Sequence, residues 1–187
     1  MILRTGIIAV LFTLFLSGCS TTKPLVWKAQ DVSFSNFKAF EIQLVFNATD
    51  KPVDKDALSF LTAHLKEQFA VQNLQLNDVP KTKNGILIVQ TDMLVYETSK
   101  LIAQGGSVGY GGRPTIYHCK LGTRLVDKLT THVVATIFTV KEVAAQTTPH
   151  SPDEWVLKES AAAVAKEVAK MMRPMESEPS SSAWQQL

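Results

Sequence analysis

Four segments of the chain alternate apolar and more polar residues with the period of two that is typical of β-strands. In the segment 36–46, Phe40, Ile42 and Leu44 alternate in this way, which predicts a strand with one buried face. The segment 85–97 is apolar on both sides, which predicts a strand in the centre of the sheet or covered on its second face. The segments 115–126 and 132–140 are the third and fourth predicted strands.

Two other segments repeat apolar residues every three or four positions, which is the period of an amphipathic helix. The first covers 55–72, and Asp54 is its expected N-cap. The second begins at a capping box of Ser151 and Glu154, with Pro152 in the first turn. It runs to about residue 172, where Pro174 prevents its continuation.

The predicted order of elements is strand, helix, three strands and helix, or β-α-β-β-β-α. Two amphipathic helices and four half-buried strands close most simply as a two-layer α+β sandwich. We expect an about four-stranded, mostly antiparallel sheet with both helices on one face. This domain spans residues 36–172, and the polar segment 173–187 has too little apolar content to pack, which predicts a disordered tail.

The N-terminus has the features of a secreted protein. Arg4 precedes an apolar run over 6–16, which is shorter than the roughly 20 residues of a membrane-spanning helix and suits a signal peptide over residues 1–18. The string LSGC that follows, residues 16–19, resembles the lipobox of bacterial lipoproteins. This resemblance implies that Cys19 becomes the mature N-terminus and carries covalent diacylglycerol and an N-acyl chain. Residues 19–35 are then the lipidated N-terminus and a tether, and Ser20 favours the outer membrane.

Length, charge and cysteine content limit the number of domains, the kinds of partner and the disulfides that the chain can have. Removing residues 1–18 leaves 187 − 18 = 169 residues, enough for one domain and its tethers. The net charge of +2 lacks the basic bias of nucleic-acid-binding proteins, so we expect no nucleic-acid partner. The chain has two cysteines, and an acylated Cys19 leaves Cys119 without an intrachain disulfide partner. We expect a buried thiol on a strand, and an intermolecular disulfide is the alternative.

A glycine-rich stretch, QGGSVGYGGRP at 104–114, contains the pattern G-x-S-x-G around Ser107. A hydrolase elbow needs a helix directly after the serine, and here a strand follows. The stretch also lacks the lysine of a phosphate-binding loop, and Pro114 stands at the third glycine of a dinucleotide fingerprint. We interpret the stretch as a connector between strands, or alternatively as a flexible loop on which Tyr110 and other apolar side chains meet a partner.

The remaining titratable residues show no spacing that is typical of a metal site. His118 and Cys119 are neighbours on a predicted strand and therefore point to opposite faces. The sequence predicts a non-enzymatic protein with no catalytic residues, no metal, and no cofactor apart from the acyl chains on Cys19.

The lipobox and the order of elements together resemble small bacterial outer-membrane lipoproteins with an α+β periplasmic domain. These include uncharacterised lipoprotein families and, more distantly, the lipopolysaccharide-assembly lipoprotein and the activator of penicillin-binding proteins. The resemblance implies a protein that is held at the outer membrane by its lipid and faces the periplasm.

From these features we expect an accessory or scaffold subunit that binds an envelope protein partner, and a second copy of the chain is one such partner. The expected contact residues are Ile86, Ile88 and Leu94, on the second apolar face of the 85–97 strand, together with Tyr110. The same face is expected to continue through Val133, Ala135 and Ile137. Two alternatives stay open: a lipid- or glycan-binding carrier or assembly factor of the outer membrane, and a small hydrolase that uses Ser107.

Overall fold

A computed structural model describes residues 23–76, 84–100, 115–144 and 152–173. These residues form six strands, two α-helices and one turn of 3₁₀-helix at Phe34–Asn36. In chain order the strands and helices are β1 (Leu25–Lys28), β2 (Ala39–Ile42), β3 (Phe46–Asn47), α1 (Lys55–Val71), β4 (Ile86–Lys100), β5 (Thr115–Asp127), β6 (Val133–Ala144) and α2 (Pro152–Met172). The α+β class, both helices and their bounds agree with the sequence-based prediction. Ser151 of the expected capping box lies outside the described residues.

The strands form one open, mixed sheet in the order β1-β6-β5-β4-β2, and β3 pairs with β4 beyond the end of β2. Strands β4, β5 and β6 form an antiparallel meander, and β1 is antiparallel to β6. Strands β2 and β3 run parallel to β4, and α1 lies in the connection that such parallel pairing requires. The prediction of about four mostly antiparallel strands is therefore wrong in number and order, since the sheet has six strands of mixed direction.

Two departures from the predicted pattern account for the additional strands. Strand β1 lies in the segment 19–35 that was expected to be a tether, where Leu25 pairs with Phe138 of β6. The expected strand 36–46 is interrupted between β2 and β3, because the backbone N–H of Val45 donates to the Thr62 hydroxyl of α1 at 3.1 Å. This break inverts the alternation of buried and exposed residues. Val45 is buried, and Leu44 and Phe46 on either side of it are exposed.

The two helices pack against each other and share one core with a single face of the sheet, which we call the inward face. Helix α1 begins where the Asp54 carboxylate accepts the backbone N–H of Asp56 at 3.0 Å, as the sequence predicts. Its buried side chains repeat every four residues at Leu61, Leu65 and Phe69, and they meet the stripe of α2. The opposite, outward face of the sheet has no helix over it among the described residues.

Cys119 is fully buried on β5, as expected, and it forms no disulfide among the described residues. Within the described ranges, no helix is both long and apolar enough to cross a membrane. The predicted signal peptide, Cys19 and the predicted tail after Arg173 lie outside the described residues.

Candidate functional site

The outward face of the sheet carries a row of exposed apolar side chains. Strand β4 has a bulge between Met93 and Val95, so that Leu94 is an additional residue on the outward side. Leu94 lies beside Gly122 of β5, and a Cβ atom placed on this glycine would meet Leu94 Cδ1 and Phe138 Cε1, each at 3.3 Å. The glycine therefore lets the side chains of Leu94 and Phe138 approach each other above the backbone of β5. We call these three residues, Leu94, Gly122 and Phe138, the outward patch.

The strand register extends the outward patch in both directions. Phe138 pairs with Leu25 of the edge strand β1, and Gly122 pairs with Asp92, which in turn pairs with Phe46 of β3. From Leu25 to Phe46 these positions cross five strands, or about 19 Å at the usual spacing between strands, and the charged Asp92 separates Phe46 from the apolar residues of the patch. Leu94 is 37% exposed and Phe138 is 42% exposed, so the described part of the chain covers each residue only in part.

Contacts between charged or titratable side chains border the apolar residues of the outward face. Arg124 contacts Asp92 at 3.1 Å, beside the outward patch, and His118 contacts Glu142 at 3.1 Å on neighbouring strands. A third pair joins Lys128 to Glu41 at the end of the face near β2. Two of these contacts, Arg124 with Asp92 and Lys128 with Glu41, join opposite charges beside the apolar residues. This composition is typical of a surface that binds a protein through an apolar centre and a polar rim.

The contact residues expected from the sequence do not all lie on this surface. Leu94 and Val133 are exposed on the outward face, and Ile88 is half-buried there. Ile86 is 3% exposed, because β2 pairs along one side of it and its carbonyl accepts the backbone N–H of Lys128 from the turn after β5. Ile86 therefore contributes no area to an outward contact.

Ala135 and Ile137 were assigned to the wrong face of β6. The register between β5 and β6 shifts after the pair of Val126 with Val133, so that Ala135 pairs with the buried Leu125. This irregularity inverts the alternation along β6: Val133 faces outward, whereas Ala135 and Ile137 lie fully buried in the core. Tyr110, Ser107 and Cys19 lie outside the described residues.

A second exposed region lies at the edge strand β1. All four residues of β1 are exposed, and Trp27 is 56% exposed although it is a large aromatic side chain. A groove of about 1110 Å³ lies between the segment 26–35 and the C-terminal end of α2. Its lining combines apolar side chains with three basic residues and one acidic residue, among them Val26, Trp27, Val32, Phe34, Met171, Lys28, Lys170, Arg173 and Asp31. Lys170 also contacts Glu167 of the same helix at 2.6 Å.

Two titratable side chains in or beside the described core, Cys119 and Tyr96, have raised pKa values. Burial raises the pKa of the Cys119 thiol to about 11, and a hydrogen bond with Ser160 offsets only part of this shift. A nucleophilic cysteine needs the opposite shift, toward the thiolate. Burial, followed by the charge of Asp153, raises the pKa of Tyr96 to about 12. The described residues also contain no group of three or more His, Cys, Asp or Glu side chains that could hold a metal ion.

Comparison with known proteins gives a structural likeness without a sequence relationship. No protein-family model matches the chain, and no curated protein sequence matches it. PelC from Paraburkholderia phytofirmans, solved as a dodecamer, is 12% identical with a TM-score of 0.50, covering 78% of this chain and 97% of that one. The hypothetical protein CT253 from Chlamydia trachomatis is 8% identical with a TM-score of 0.52, covering 73% of this chain and 98% of that one. What these proteins share with the chain is the fold.

Bacterial lipoproteins are also among the structures similar to this chain. The lipoprotein GNA1162 from Neisseria meningitidis is 11% identical with a TM-score of 0.44, covering 71% of this chain and 98% of that one. The resemblance to the lipopolysaccharide-assembly lipoprotein and to the activator of penicillin-binding proteins stays a prediction.

Proposed function

We propose that the chain is a lipid-anchored envelope lipoprotein, attached through acylated Cys19 to the outer membrane, whose periplasmic domain binds a protein partner without catalysing a reaction. The observation that carries the proposal is the apolar row on the outward face, centred on the outward patch. The lipobox at 16–19 supports the anchor, and the uncovered sheet face supports the binding role.

The composition of the outward patch suits a binding surface. An exposed aromatic residue such as Phe138 can fill a pocket on a partner, and aromatic side chains of this kind dominate the energy of many interfaces. Because Gly122 has no side chain, nothing projects between Leu94 and Phe138, and a partner can contact both together. The ion pair between Arg124 and Asp92 lies at the border, where it can favour one orientation of the partner without being buried.

The test is a pair of substitutions with a matched control. Leu94→Asp and Phe138→Asp place charge at the centre of the outward patch, whereas Val71→Asp places it at an apolar residue that is 62% exposed at the end of α1. Complexes captured by crosslinking in cells should be lost in the first two variants and kept in the third. Circular dichroism spectra of all three variants should match that of the unaltered protein.

The capture experiment also tests the anchor. A Cys19→Ala variant cannot be acylated at that position, so partner complexes that depend on membrane attachment should disappear with it. Retention of every complex in both Leu94→Asp and Phe138→Asp would rule out the outward patch as the binding surface. The captured partner can also be a second copy of this chain. The structurally similar Paraburkholderia protein was solved as a dodecamer, which supports testing for self-association.

A second candidate function is favoured by the groove beside β1. Its apolar and basic lining suits an amphiphilic molecule with an anionic group, such as a lipid or an acidic glycan. In this alternative the protein is a carrier or assembly factor of the outer membrane. Native mass spectrometry of the purified protein distinguishes the two: a co-purified lipid or glycan that is lost on Trp27→Ala favours the carrier, and its absence favours the protein-binding role.

A further inference from the structure

The edge strand β1 lies close along the chain to the predicted lipid attachment site. Leu25 follows Cys19 by six residues, and a fully extended chain of this length spans at most about 21 Å. If Cys19 is acylated at the membrane surface, Leu25 at the start of β1 lies within about 21 Å of that surface. No other strand of the sheet begins so few residues after Cys19.

The side chains of β1 have the chemistry of a membrane interface. On the four-residue edge strand, Leu25 and Trp27 are 70% and 56% exposed on one side, and Val26 on the other side is 37% exposed. Tryptophan is enriched where a membrane meets water, because its ring is apolar and its N–H can remain hydrated. A bilayer surface within reach of the anchor would cover this strand.

The charges around β1 complement anionic phospholipid headgroups. Lys23 lies two residues before the strand, Lys28 is its last residue, and Lys170 and Arg173 lie at the adjoining end of α2. Among the described residues, Asp31 is the acidic residue in the lining of the groove, and Glu167 is paired with Lys170. Of these six described residues four are basic and two are acidic, and basic residues near a membrane bind to its negative surface.

We propose that the β1 edge, with Trp27 in the interface and Lys28 and Arg173 on anionic headgroups, rests on the bilayer to which Cys19 is attached. This inference rests on the lipid anchor of the proposed function but not on the outward patch or its partner. It fixes an orientation: α2 points its C-terminal end toward the membrane and its N-terminal end away from it.

The length of helix α2 separates a control residue, Trp155, from the proposed membrane contact. Trp155 lies in the first turn of the helix and Arg173 directly follows its last residue, so 18 residues separate them. At the rise of an α-helix this corresponds to about 27 Å. Trp155 is therefore the matched control for Trp27, because it belongs to the same domain and lies far from the proposed contact.

The test measures tryptophan fluorescence in the full-length lipidated protein, reconstituted into phosphatidylcholine vesicles with and without phosphatidylglycerol. The chain has three tryptophans, so Trp155→Phe with Trp184→Phe leaves Trp27, and Trp27→Phe with Trp184→Phe leaves Trp155. Lipids with brominated acyl chains quench a ring that reaches the interface. We expect quenching and a blue shift for Trp27, no quenching for Trp155, and weaker quenching of Trp27 after Lys28→Glu with Arg173→Glu in the anionic vesicles.

The outcomes separate this inference from the proposed function. If the protein floats with the vesicles and Trp27 is not quenched, or if both tryptophans are quenched equally, the orientation is refuted while the anchor stands. If the protein does not float and mass spectrometry finds no acyl chains on Cys19, both the anchor and the orientation are refuted. Flotation of the lipidated protein combined with selective quenching of Trp27 would support the inference.

Discussion

The hydroxyl of Thr139 is a buried polar group whose removal should stabilise the protein. Thr139 lies on β6, is 1% exposed, and its Oγ1 has no hydrogen-bond partner among the described residues. Replacing Thr139 by Val keeps the shape of the side chain and removes a buried hydroxyl whose hydration is lost on folding. An unsatisfied buried polar group costs about 1–3 kcal/mol. We therefore expect Thr139→Val to raise the free energy of unfolding by about 1–2 kcal/mol.

A second buried threonine on the same side of the sheet provides a control of opposite sign. The hydroxyls of Thr91 and Thr123 contact each other at 3.1 Å across β4 and β5. Thr123→Val breaks this bond and leaves the Thr91 hydroxyl unpaired, so it should lower the free energy of unfolding by about 1–2 kcal/mol. Replacing both threonines by Val removes both partners together and should be nearly neutral.

Thermal and urea denaturation measure these differences directly. For a domain of this size, 1 kcal/mol corresponds to about 2–4 °C in Tm. The reasoning is refuted if Thr139→Val destabilises the protein as much as Thr123→Val does, because the two positions would then be energetically equivalent. It is also refuted if the double Val variant at 91 and 123 loses about twice the stability of Thr123→Val.

Three further predictions concern the core, a helix cap and pH. Leu61→Ala should lower the free energy of unfolding in urea by about 2–5 kcal/mol, since it leaves a cavity beneath α1, and a loss within error would contradict the described core. Asp54→Ala should lower it by about 1 kcal/mol through loss of the bond to the Asp56 N–H, whereas Asp54→Asn should retain most of it. The raised pKa of Cys119, about 11 when folded against 9.0 as a free side chain, means that the unfolded chain loses this proton first as pH rises. Stability should therefore fall between pH 9 and pH 11, and Cys119→Ala should flatten that fall; an unchanged slope would contradict the burial of the thiol.

The helices could be predicted from the sequence because their signals are local. The Asp54 cap and the spacing of Leu61, Leu65 and Phe69 set the start and the buried face of α1 within a few turns of chain. Helix α2 has similar signals in its acidic first turn and its repeated apolar stripe. In both cases the pattern that marks the element also identifies the side chains that enter the core.

The sheet could be predicted only in part, because its pairing depends on contacts that are distant along the chain. Strand β1 has four residues, and its pairing with β6 joins positions more than a hundred residues apart. The residues Leu25, Val26 and Trp27 favour a strand, but a run of four residues gives no sign of the strand with which it pairs. The parallel pairing of β2 with β4 was within reach of the sequence, since a helix lies between them and parallel strands need such a crossover.

The candidate site shows how bulges limit sequence-based assignment of a sheet face. A single irregularity inverts the period-two alternation, and both β4 and β6 contain one. Leu94 was assigned correctly to the second face, whereas Ala135 and Ile137 were assigned to it and are buried. Phe138, which alternates with Ile137 and therefore lies on the outward face of β6, was missed for the same reason. Gly122 within the apolar strand β5 was the one local signal of a close approach above the sheet.

A photo-reactive residue introduced in living cells at position 138 tests most directly whether the outward patch binds a partner, and position 71, at the end of α1, is the control in a parallel strain. We expect position 138 to crosslink to a discrete protein species, Cys19→Ala to abolish this product, and position 71 not to form it. If positions 138 and 71 give the same products, or if position 138 gives none, the outward patch is not the partner-binding surface.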